Sequence, residues 1–152
     1  MFSEASTKMG VTYPKGFQAA GVKAGIKKSG NLDVAVIYTE QKAAVAGTFT
    51  KNAVAAAPVH VSKAVVATHT AHAIVANACT GVKGETDAAA MQKIAADALG
   101  CTSADVIVGS TGIIGQLLPM DKVEQGIHAA VKALSADGSV DAGNAIITTD
   151  TY

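Results

Sequence analysis

The sequence predicts one mixed α/β (α+β) domain over residues 1–152, a sheet with helices packed against it, and three observations predict it. Apolar, β-branched runs crowd the first half of the chain and helical periodicity the second, with one further strand-like run between the helices. Hydrophobic residues make up 49% of the 152, enough for the core of one ordinary domain. Aromatics are only 4% and Trp is absent, so that core must be Ala, Val, Ile and Leu, whose small side chains let layers approach closely.

Each element has its own signal. Residues 16–26 read as a strand broken by glycines, and Lys27-Lys28-Ser29-Gly30-Asn31 as a solvated turn. Residues 32–38 form a β-branched strand, residues 43–49 a second, and residues 58–61 a short edge strand opened by Pro58. Residues 71–76 are another apolar strand. Thr86 can cap a helix over residues 87–99, with Met91, Ile94, Ala95 and Ala98 on one face and Gly100 as its stop. Asp121, with Glu124 three residues on, fits the start of a second helix whose buried stripe is Val123, Ile127, Val131 and Leu134. A third, short helix starts near Ser139 and ends before Thr148. There is no internal repeat and no low-complexity tail.

Composition excludes several functions. Lys plus Arg equals Asp plus Glu, at 12 each, so no basic field draws in nucleic acid or anionic lipid. Every Lys/Arg cation is Lys; a bidentate guanidinium clamp on phosphate or carboxylate is therefore unavailable. Two cysteines, Cys79 and Cys101, make no disulfide framework and read as thiols of a reduced, intracellular protein. The amino terminus lacks the pattern of a secretory signal. No apolar run reaches the ~18 residues that a membrane-spanning helix needs.

The run Gly109-Ser110-Thr111-Gly112-Ile113-Ile114-Gly115, after the apolar residues 105–108, is the richest in chemical meaning. A Gly-rich turn leaving a strand offers unobstructed backbone N–H groups to a phosphate or to the oxyanion of acyl transfer, and it can also be a plain tight turn. A Rossmann dinucleotide loop is disfavoured. Pro119 and the helix signals at Asp121 come too late for a helix opening directly from the loop, and the position for a ribose-binding acid falls in helix.

Other candidates are weaker. His69 and His72 lack the further ligands and the i, i+4 spacing of a helical metal site, so surface or strand-end histidines are the simpler reading. Cys79 lies in Asn77-Ala78-Cys79-Thr80-Gly81, read as a loop after a strand, where a small buried thiol is commoner than a nucleophile. Thr148-Thr149-Asp150-Thr151 reads either as a turn or as hydroxyls and a carboxylate aimed at a polar substrate.

Several segments, in order, carry a resemblance. They are Pro14-Lys15-Gly16-Phe17 with Gly21-Val22, the Ala-Gly-Thr-Phe-Thr ending at Thr50, Ala57-Pro58-Val59, Asn77-Ala78-Cys79-Thr80-Gly81, Ser110-Thr111-Gly112-Ile113-Ile114-Gly115, Leu118-Pro119-Met120-Asp121-Lys122, and Ala145-Ile146-Ile147-Thr148-Thr149-Asp150-Thr151. Together they resemble the amino-terminal half of the ornithine acetyltransferase (glutamate N-acetyltransferase) family of arginine biosynthesis. The resemblance implies a two-sheet sandwich flanked by helices, not a Rossmann fold. It implies a precursor that cuts itself before a Thr into α and β chains, and an α2β2 heterotetramer in the cytoplasm, or in the mitochondrial matrix of a eukaryote. The β chain's new amino-terminal Thr is then the nucleophile, moving acetyl from N-acetylornithine to glutamate, and some members take acetyl-CoA as a donor. No cofactor or metal is implied. Thr111 and Gly112 match the family's oxyanion hole. Thr148 matches its substrate-binding Thr, with Thr149 and Asp150 beside it.

Two departures accompany the resemblance. The nucleophile and its cleavage site do not occur in these 152 residues, which by themselves would not catalyse the reaction. About five residues of the family's pattern before Asn77 are absent, which fits an omitted loop better than a deletion. A non-catalytic relative and a self-processing peptidase with an amino-terminal nucleophile are the competing readings.

Overall fold

The structure is a computed structural model, and it describes residues 10–53, 55–81 and 84–147. Four strands, β1 (Phe17–Val22), β2 (Val34–Ala44), β3 (Thr70–Gly81) and β4 (Val106–Gln116), form one sheet in the order β1-β2-β3-β4. β1, β2 and β3 are antiparallel neighbours, and β4 runs parallel to β3. The helices are α1 (Ala57–Val66), α2 (Gly84–Leu99), α3 (Met120–Lys132) and α4 (Ser139–Ile146). α2 makes the crossover that a parallel pair requires. The mixed α/β class holds, and the antiparallel first half is not a Rossmann pattern. The described residues supply one sheet of the expected sandwich.

Alternation along the strands sorts the core. Val34, Val36, Val75, Val106 and Val108 point to one face, where Met91 and Ala95 of α2 and Val123 and Ile127 of α3 close over them. Ala19 and Ala35 point to the other face and pack against Ala142 and Ala145 of α4. Small side chains are what let α4 come this close. A Cβ on Gly21 would collide with the Asp141 carbonyl, so β1 needs glycine there.

Four local expectations are corrected. Residues 58–61 belong to helix α1, not an edge strand: Pro58 sits in the first helical turn, where its missing N–H costs nothing. Residues 43–49 are not a separate strand, because β2 itself runs to Ala44 through a register shift between Tyr38 and Ala43. Asn77–Gly81 is no loop but the end of β3, an uninterrupted strand from Thr70. The Gly-rich run 109–115 is not a turn but the body of β4. The helix caps shift slightly. α2 starts at Gly84, with Thr86 inside its first turn, and α3 starts at Met120 behind Pro119, with Asp121 in its first turn.

Candidate active site

The pairing of β4 with β3 becomes irregular beyond Thr111. The register is even from Ala73↔Val106 to Ala78↔Thr111 and then slips twice, pairing Thr80 with Ile114 and Gly81 with Gln116. Between Thr111 and Ile114 the strand advances three residues against two on β3. Such a bulge takes a residue out of the ladder, leaving its backbone groups without a strand partner. Gly112 and Ile113 occupy it.

The outer edge of β4 is managed by side chains up to this point. The Ser62 hydroxyl of α1 donates to the Val108 carbonyl at 2.8 Å and accepts the Val108 N–H at 3.1 Å. Gln92 of α2 donates to the Val106 carbonyl at 2.7 Å. Both mimic a neighbouring strand, so the edge is closed to further pairing at these two residues.

Ser110 and Thr111 then face opposite sides. Ser110 points to the core face, where its hydroxyl donates to Oδ1 of buried Asn77 at 2.6 Å. Thr111 points to the face that carries α4, and its hydroxyl donates to the Ile146 carbonyl at 3.3 Å. That oxygen belongs to the last residue of α4, two positions before Thr148 in the sequence. Thr148, Thr149 and Asp150 themselves lie outside the described residues, as does the side chain of Cys79.

The same helix end is held from a second direction. Lys27 Nζ lies among the carbonyls of Leu32 at 2.6 Å, Ala145 at 3.2 Å, Asn144 at 3.4 Å and Ile147, its three protons shared between these four acceptors. Lys27 is therefore not part of a solvated turn. Burial pushes its pKa below the ordinary lysine value, while the Asp33 carboxylate pulls it back up. Asp33 is fully buried and accepts three backbone N–H groups, from Ala24 and Ile26 at 2.6 Å and Lys27 at 3.0 Å. Local sequence reading missed Lys27, Asp33, Asn77 and Ser110. An acid opening an apolar β-run just after a Gly-containing turn was the one available signal for Asp33.

The remaining candidates fall elsewhere. His69 turns the chain between α1 and β3 with a positive φ of 62°, and His72 on β3 donates Nδ1–H to the Thr39 carbonyl at 3.0 Å. They share no helix face, and no group of three or more His, Cys, Asp or Glu poised to hold a metal occurs among the described residues. Burial, then the nearby Asp105 carboxylate, push the Cys101 thiol up in pKa, which disfavours the nucleophilic thiolate. No helix among the described residues is long and apolar enough to cross a membrane.

Comparison with known proteins adds three findings. The pattern of the ArgJ family matches residues 18–152. The arginine biosynthesis bifunctional protein ArgJ of Symbiobacterium thermophilum is 48% identical over 94% of this chain, and that of Streptomyces coelicolor 50% identical over 94%. The chain spans only 37% and 39% of the lengths of these two relatives. Among solved structures, ornithine acetyltransferase from Mycobacterium tuberculosis, complexed with ornithine, superposes with a TM-score of 0.89 at 41% identity, covering 95% of this chain and 82% of that one. The arginine biosynthesis bifunctional protein from Bacillus halodurans gives a TM-score of 0.85 at 34% identity, covering 95% and 78%.

Proposed function

The chain belongs to the ArgJ family, and from that premise we propose that it is the α part of an acetyltransferase that moves acetyl from N-acetylornithine to glutamate. Its partner is a β chain that begins with the nucleophilic Thr, released by self-cleavage of a common precursor, and two of each form the α2β2 enzyme in the cytoplasm. Acetyl-CoA serves as a second donor to glutamate.

The Thr hydroxyl attacks the acetyl carbonyl carbon while its proton passes to the chain's own terminal amine. The carbonyl electrons collapse onto oxygen, and Thr111 Oγ–H with the Gly112 N–H donate to that oxyanion. Reformation of the C=O expels ornithine, whose nitrogen takes up the proton, and leaves an acetyl-Thr ester. The glutamate amine repeats the sequence in reverse and leaves as N-acetylglutamate. Every step is proton transfer and acyl exchange, so neither a metal nor a redox cofactor is called for.

The observation that carries this reading is the placement of Thr111. Its hydroxyl rests on the Ile146 carbonyl through a long 3.3 Å bond, weak enough to be exchanged for a charged acceptor. Beside it, the β4 bulge removes one residue of the Gly112-Ile113 pair from the ladder. Ser62 and Gln92 contact the outward-facing groups of Val108 and Val106, and that alternation, carried on to position 112, would turn the Gly112 N–H the same way, away from β3. Thr148 and Thr149, next along the chain from α4, are the substrate-binding hydroxyls.

Kinetics of the complete protein test this. Wild type transfers acetyl from N-acetylornithine to glutamate, and mass spectrometry finds a co-purifying chain that starts with Thr. Thr111→Val lowers kcat by about 10²-fold or more, as loss of an oxyanion donor does, with little change in thermal midpoint. An unchanged kcat removes the oxyanion role. A lone chain without transferase activity points instead to a non-catalytic relative.

A further inference from the structure

We infer that Lys27 is a positioning residue for the acetyl transfer, its ammonium clamping the last turn of α4 and thereby fixing the carbonyl on which the Thr111 hydroxyl is aimed. The inference rests on the oxyanion role proposed for Thr111. It begins at Asp33, whose buried carboxylate gathers the N–H groups of Ala24, Ile26 and Lys27. Three charge-assisted bonds over four residues fix the backbone of this turn, and with it the direction in which Lys27 leaves the chain. All four described partners of the Lys27 ammonium are backbone carbonyls, those of Leu32, Asn144, Ala145 and Ile147.

A cation at a helix carboxyl end is ordinary capping chemistry. What raises Lys27 above a cap is what this helix end does. Ala145 and Ile147 flank Ile146, whose carbonyl is the acceptor for Thr111. The ammonium thus pins the carbonyls on both sides of the one that orients the hydroxyl. If the turn frays, the Ile146 oxygen moves, and the Thr111 hydroxyl loses the resting contact that holds its rotamer until the oxyanion takes that acceptor's place. A catalytic donor displaced by an ångström can cost about 10²-fold in rate even when the displaced group is itself intact. Removing the Lys27 ammonium therefore acts on the transition state through Thr111, while substrate affinity, which depends on other groups, stays near its original value.

The assembled enzyme tests this with Lys27→Met, alone and combined with Thr111→Val, measuring kcat, the KM for N-acetylornithine and the thermal midpoint. Lys27→Met is expected to lower kcat by about 10- to 100-fold while KM changes by less than about threefold. In the Thr111→Val background the same change is expected to cost less than about threefold more, because both side chains act through one hydrogen bond. Wild-type kcat in Lys27→Met, a loss carried by KM alone, or a fully multiplicative loss in the double variant overturns the inference. Should Lys27→Met fail to assemble, Lys27→Gln keeps donor atoms while removing the charge. A folded Lys27→Gln enzyme with reduced kcat and unchanged KM supports the inference, and one with unchanged kcat overturns it. These outcomes are separate from failure of the underlying reading, in which wild type shows no transfer or Thr111→Val alone is fully active.

Discussion

Buried Asp33 and Asp105 meet the cost of burial in different ways. Asp33 is satisfied by backbone N–H groups alone and organises a turn. Asp105 is satisfied by side chains: Lys42 Nζ at 2.6 Å and the Thr102 hydroxyl at 2.9 Å. The Lys42 hydrogen bond outweighs desolvation and holds the Asp105 carboxyl below the usual aspartate range. The sign of the resulting pH dependence follows. A carboxyl depressed in the folded state adds stability above its unfolded pKa, about 3.9, and that stability is lost as pH falls through the folded value. Asp105→Asn removes this linkage. Between pH 5 and pH 3, on the order of the unfolded carboxylate range, the thermal midpoint of wild type should therefore fall more steeply than that of the variant. Parallel slopes in the two proteins would show that the Lys42–Asp105 pair carries no such coupling. Lys42 remains half exposed, so the effect should shrink with added salt.

The helices differ in how tightly they are seated, and α4 is seated by backbone. Gly21 on β1 leaves no room for a Cβ, whose nearest neighbours would be the Asp141 carbonyl and the Ala142 nitrogen at 2.8 Å. Neither can rotate aside as a side chain could. Gly21→Ala should force α4 off the sheet and destabilise the protein by about 1–3 kcal/mol or more. Gly143, inside α4, has nothing within 4 Å of an added Cβ, and Gly143→Ala should stabilise by about 0.5–1 kcal/mol through helix propensity alone. Opposite signs in denaturant midpoints are the outcome that supports this seating. Much of this layer was legible locally: α2 and α3 announced themselves by apolar periodicity, and α4 by its bounds at Ser139 and Thr148. Residues 58–61 were not, because alternating Val and a proline describe an edge strand as well as a helix start. The deciding contact, Ser62 against Val108, spans distant parts of the chain. The same holds for β4. Glycines at 109, 112 and 115 signal a turn locally, and only pairing with β3 makes them a strand. Thr111 was singled out by its motif, whereas Lys27 could not be, since the helix-end carbonyls it holds, those of Asn144, Ala145 and Ile147, lie more than a hundred residues away.

At the scale of the whole molecule, the described residues cover the two faces of the sheet unequally. α2 and α3 bury the Val36–Val75–Val108 face, but α4 covers only part of the other. On that second face, Ala19, Ile37, Ile74 and Ile107 stand in one row across the four strands. Ile74, on an interior strand, is 40% exposed. A central strand with strands on both sides has little reason to show a large apolar side chain to water unless something covers it. Thr111 lies farther along this same face, so a chain covering the row would also stand where a nucleophile must approach the proposed oxyanion donors. On the function proposed above, the β chain supplies that cover as the second sheet of the sandwich. Ile74→Glu should then leave this chain folded, because the substituted side chain points away from the Val75 core, and yet weaken its association with the β chain. Val75→Glu, one residue on and fully buried, should unfold the chain itself. Co-purification yield and the thermal midpoint of the assembled protein separate the two effects. Full assembly at an unchanged midpoint in Ile74→Glu would place the partner on another surface, and Thr111 would then have to meet its nucleophile from the open edge of β4 rather than across this face.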